Sequence, residues 1–70
     1  MAAKFRTREG RKVGFGDHVW SQNGDGPFVI TPHPLDTVHL ELVEVGGSER
    51  RTHHPDDIAL YYYASVPPRR

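Results

Sequence analysis

Seventy residues without a cysteine, carrying nine basic and nine acidic side chains, describe one small domain that must be held by a single core without a disulfide. The apolar runs are only a few residues long, which excludes a membrane-spanning helix, and Met1 to Lys12 carries charge throughout instead of the apolar centre of a secretory signal. The lack of cysteine fits a reducing compartment, so the expectation is a cytoplasmic protein, monomeric or weakly homo-oligomeric.

The neutral total conceals a separation of charge along the chain. Residues 1 to 12 hold Lys4, Arg6, Arg8, Arg11 and Lys12 against Glu9 alone, a net charge of +4. Residues 13 to 68 hold Arg50 and Arg51 against eight acids, a net charge of −6, and Arg69 and Arg70 close the sequence. The first twelve residues show neither a strand nor a helix period, which predicts a flexible basic arm with Phe5 as its only large apolar group.

From Gly14 onward the pattern is that of short strands and tight turns. His18 to Ser21 reads as a first strand. Asn23-Gly24-Asp25-Gly26 supplies two consecutive dipeptides that tolerate positive φ, so the chain reverses there, and Pro27 admits a second strand from Phe28 to Thr31. Pro32 and Pro34 end it. The third strand is the clearest, because Val38, Leu40 and Leu42 share one face while His39, Glu41 and Val43 share the other. Gly46-Gly47 suits a hairpin into a polar fourth strand over 48–54. Pro55 to Ile58 reads as a single helical turn, with Asp56 and Asp57 near its start. Ala59 to Tyr63 is β-prone through its aromatic residues and reads as the closing strand. The expected core is Val19, Ile30, Val38, Leu40, Leu42, Ile58 and Leu60.

Five short antiparallel strands with a one-turn helix before the last predict an all-β, SH3-like barrel over residues 13–64, followed by a C-terminal tail over 65–70. Gly16-Asp17-x-Val19 opening a strand, a glycine-rich loop ending in Gly26-Pro27, and an aspartate-bearing turn before the last strand resemble the small YodC-type bacterial proteins. KOW and Tudor-like barrels are similar in part of this pattern. The resemblance covers roughly residues 13 to 63 and implies a fold, and an origin in a bacterium or phage, without implying an activity. Phe15-Gly16-Asp17-x-Val19 is also similar to the plasmid-borne type II dihydrofolate reductases, whose symmetric tetramer would make an oligomeric enzyme of this chain. Their Val-Gln-Ile-Tyr strand is absent here, and Asp57-Ile58-Ala59-Leu60-Tyr61 is a distant counterpart at most.

Chemistry-bearing residues are sparse. Histidines 18, 33, 39, 53 and 54 lack a helical His-x-x-x-His or a cysteine to complete a familiar metal set, and adjacent His53 and His54 point to opposite faces of a strand, so neither metal nor cofactor is expected. No Ser-His-Asp order and no lysine-bearing glycine loop is present, which predicts a non-catalytic module. Aromatic residues are too many for a small barrel, so Trp20, Phe28, Tyr61 and Tyr63 are expected to anchor another protein, with Asp25, Glu41, Asp56 and Asp57 supplying charge complementary to a basic or cationic surface. The alternative expectation is nucleic-acid binding through Lys4, Arg6, Arg8, Arg11 and Lys12.

Overall fold

The computed structural model describes residues 5–66. A two-residue hairpin comes first, β1 (Phe5–Arg6) against β2 (Lys12–Val13). The main sheet follows with β3 (His18–Ser21), β4 (Phe28–Pro32), β5 (Leu40–Glu44) and β6 (Arg50–His53), then helix α1 (Pro55–Tyr61) and β7 (Tyr62–Tyr63). The five strands are antiparallel in the order β6-β5-β4-β3-β7, and the sheet curls into the half-barrel of an SH3-like, all-β fold with the short helix before its last strand.

Alternation builds the core. Val19, Phe28, Ile30, Leu40 and Leu42 all point into the curl, and Ile58 of α1 and Tyr62 of β7 close it, each with almost no exposed surface. The register places the inward Ile30 opposite the inward Leu42, while Leu40 lies opposite the exposed Pro32 at the end of β4. On β6 the inward face is polar: Arg51 lies opposite Leu42 and His53 opposite Leu40. Arg51 is accommodated because its guanidinium sits 4.5 Å from the centre of the Phe28 ring and donates to the Glu49 carboxylate and to Tyr62 Oη. The Glu49 bond, and after it the Tyr62 bond, raise the Arg51 pKa above its ordinary value. His53 shares the same hydroxyl, with Nε2 2.8 Å from Tyr62 Oη, while Nδ1 lies 3.1 Å from Asp57 Oδ2. No buried side-chain nitrogen or oxygen among the described residues lacks a partner.

Four expectations require correction. The third strand begins at Leu40 because Asp36 Oδ1 accepts the Val38 and His39 N–H groups, holding that stretch in a turn and leaving Val38 58% exposed instead of in the core. The helix has two turns instead of one, and helical spacing turns Ile58 inward while Leu60, expected in the core as a strand residue, is half exposed. Phe28, expected on the surface, is fully buried, which removes it as an anchor. The arm is folded from Phe5 onward: Thr7 is buried, the Arg8 N–H donates to Tyr62 O at 2.8 Å, Phe5 meets Phe15 edge to face at 5.5 Å, and the Ala64 N–H donates to the Glu9 carboxylate. Lys4 and residues 67–70 of the expected tail lie outside the described residues. Among the described residues no helix is long and apolar enough to cross a membrane.

Candidate functional site

Of the expected contact residues, the fold brings Trp20 and Tyr63 together. They are register partners across β3 and β7, and because Val19, Ser21 and Tyr62 point inward, Trp20 and Tyr63 share the outer face. Each ring is partly buried and partly open. Ser21 prepares this face from beneath, since its Oγ accepts the Asn23 and Asp25 N–H groups and ties the β3–β4 turn.

The turn contributes room as well as direction. Gly26 sits at φ +133°, and a Cβ there would lie 3.0 Å from Val19 O and 3.1 Å from Trp20 Cδ1, so the glycine lets the indole edge lie flat against the backbone. Gly26→Ala is expected to lower stability by more than about 1 kcal/mol and to move the indole. A thermal melt together with the Trp20 emission maximum checks both, and an unchanged pair of values would refute this role for the glycine.

Beside Trp20 an open cleft of about 380 Å³ is lined by Arg11, Lys12, Val13, Gly16, Asp17, His18 and Ala64. The β1–β2 hairpin forms its basic wall. Arg8 is committed elsewhere, donating through Nη1 to Leu60 O at 3.0 Å, and Arg6 donates to Gly10 O at 3.4 Å. Arg11 and Lys12 have no ion-pair partner among the described residues. The one carboxylate lining the cleft, that of Asp17, is exposed and accepts the Gly14 N–H through Oδ2 at 2.7 Å. The hairpin over residues 5–12 carries four bases against Glu9, and two of those bases reach the cleft.

The expected acidic residues do not gather. Asp25 lies 3.8 Å from Arg51, Glu41 pairs with Arg50 at 3.1 Å, Asp56 lies 3.5 Å from His54 Nδ1, and Asp57 holds His53. Asp57 also accepts the His54 N–H, and its pKa is lowered, first by the His53 side chain. Tyr61 stands apart on α1, half exposed. Among the described residues no group of three or more His, Asp or Glu side chains is disposed to hold a metal ion.

Comparison with protein-family models, curated proteins and solved structures gave no match. The functional reading therefore rests on the cleft itself. Sequence reasoning placed Arg11 and Lys12 in a flexible arm and missed that they line one cleft with Trp20. The signal available was local: Thr7 to Arg11 is a turn sequence with Gly10, which adopts φ +87°, between Phe5 and Val13, the two apolar residues that pair across it.

Proposed function

We propose that this domain is a non-catalytic binding module that holds a single strand of nucleic acid against the Trp20–Tyr63 face. The observation that carries the reading is that Arg11 and Lys12, without an ion-pair partner among the described residues, line one cleft with a half-open indole. A base has an aromatic surface to stack on, and the phosphates beside it meet two cations that have no ion-pair partner among the described residues. The acidic body bears on orientation: with a net charge of −6 over residues 13–68, a polyanion approaches hairpin first.

Trp20 is the sole tryptophan, so stacking has its own reporter. Titration with a short oligothymidine strand is expected to quench its emission. Two phosphate contacts give a slope of log K against log salt of about −1.4, at about −0.7 per contact for single strands. Lys12→Gln should halve that slope, and Trp20→Leu should weaken binding by about 1–3 kcal/mol as read by anisotropy of a labelled strand. Absence of quenching and of any salt-dependent anisotropy change would overturn the reading.

A protein partner is the second reading, favoured by Leu60 and Tyr61, each 50% exposed on the outer side of α1. It expects a partner retained after nuclease treatment and lost from Tyr61→Ser but kept by Lys12→Gln.

A further inference from the structure

Away from the cleft, three histidines from three parts of the fold stand in a row. His33 follows β4, His39 precedes β5 and His54 is the N-cap of α1; the ring centres of His33 and His39 are 6.4 Å apart and those of His39 and His54 6.1 Å, both pairs edge to face. The two outer rings do the same chemical work. His33 Nδ1 accepts the Leu35 N–H at 3.1 Å, bending the β4–β5 loop, and His54 Nδ1 accepts the Asp56 N–H at 3.1 Å, capping the helix.

An imidazole nitrogen can accept only while it carries no proton. Each of these two nitrogens also has a carboxylate just beyond hydrogen-bond range: Asp36 Oδ2 is 3.8 Å from His33 Nδ1, and Asp56 Oδ2 is 3.5 Å from His54 Nδ1. A proton arriving at Nδ1 therefore abolishes one bond and supplies the donor for another. We infer that His33 and His54 are two acid-sensitive switches of the same kind, in which protonation exchanges a backbone hydrogen bond for a carboxylate contact, freeing the β4–β5 loop at His33 and the first turn of α1 at His54.

The surrounding groups set which way the exchange runs. Asp36 already holds His39, whose Nδ1 lies 3.3 Å from Oδ2, and the carboxylate accepts the Val38 and His39 N–H groups through Oδ1. The His39 N–H, the largest of these influences, keeps the Asp36 pKa below its usual value, so the acceptor stays ionised through the range in which imidazoles titrate. Facing His54 are Asp56 and Asp57 on α1 and the His39 ring from the loop before β5; His53, its neighbour on β6, is occupied by Asp57 and Tyr62. Among the described residues no lysine or arginine pairs with any of these groups. A cavity of about 270 Å³ is walled by Phe15, Pro32, His33, Asp36, Thr37 and His39, so protonating His33 also adds a positive charge to its wall opposite the Asp36 carboxylate's negative one.

The test is an amide and imidazole NMR titration of the full chain from pH 8 to pH 5, each approximate limit chosen to bracket the ordinary histidine pKa of about 6.5. The Leu35 and Asp56 amide resonances are expected to move in step with the His33 and His54 ring resonances. His33→Asn and His54→Asn each replace Nδ1 by an amide oxygen that accepts but does not titrate. Each single variant is expected to lose the response of its own amide only, and the double variant to lose both. Ring titration that leaves the Leu35 and Asp56 amides in place overturns the inference, as does an undiminished amide response in the asparagine variants. The switches are independent of what occupies the Trp20 cleft, so either proposal can fail alone.

Discussion

Phe28→Ala is expected to unfold the domain at room temperature. The ring has no exposed surface, meets Tyr62 edge to face at 6.3 Å, and carries the Arg51 guanidinium on its face. Removing a buried phenylalanine costs about 3–5 kcal/mol through lost transfer energy and the cavity left behind. A domain of this size sits near the lower end of the usual range of about 5–15 kcal/mol of total stability. The position has a second liability, because Arg51 lies over the ring and loses that cover when the ring is removed. Circular dichroism should show loss of the strand signal, and a cooperative melt close to that of the native chain would refute the placement of Phe28 in the core. By contrast, Tyr61→Ser, on the open side of α1, is expected to leave the melt within about 0.5 kcal/mol of the native value.

The difference between these two aromatic residues shows what the residues disclose and what they hide. Phe28 and Tyr61 have the same preference for strands, yet one fills the core and the other faces solvent. In the third strand the period-2 pattern was readable because Leu40 and Leu42 alternate with polar neighbours, and the structure buries both. Its start was not readable, because a single carboxylate, Asp36, takes two backbone N–H groups and delays the strand until Leu40. Local capping of this kind competes with the ladder and leaves no mark on hydrophobic periodicity.

The segment from Ala59 to Tyr63 failed for a related reason. Aromatic content favours a strand, but the His54 side chain accepts from Asp56 and Asp57 returns a bond to the His54 N–H. Once that reciprocal cap starts the helix, it runs on to Tyr61 before the chain straightens at Tyr62. The cap uses histidine in place of serine or threonine, so its sequence signature was easy to pass over. The site suffered more than the fold did. Alternation separates Tyr63 from Tyr62 but does not say which of them faces out, and the cationic neighbours of Trp20 depend on tertiary mooring of the hairpin through Arg8 and Glu9, contacts spanning more than fifty residues of chain.

That mooring makes α1 a functional element, and Ile58→Ala is the substitution that exposes it. Ile58 is the only buried side chain of the helix, flanked by exposed Ala59 and Leu60, so one residue carries its apolar attachment to the sheet. Truncation there is expected to cost about 2–5 kcal/mol. The loss falls on the hairpin too, because Arg8 Nη1 donates to Leu60 O at the end of α1 and the Arg8 N–H to Tyr62 O just beyond it. Once these acceptors move, Arg11 and Lys12 lose their fixed position beside Trp20. In a variant stabilised enough to remain folded, for example by an excluded osmolyte, oligothymidine binding should therefore weaken although no residue of the cleft has changed. Native affinity with a lowered melting temperature would show that the hairpin holds its place without the helix, and would confine α1 to a structural role.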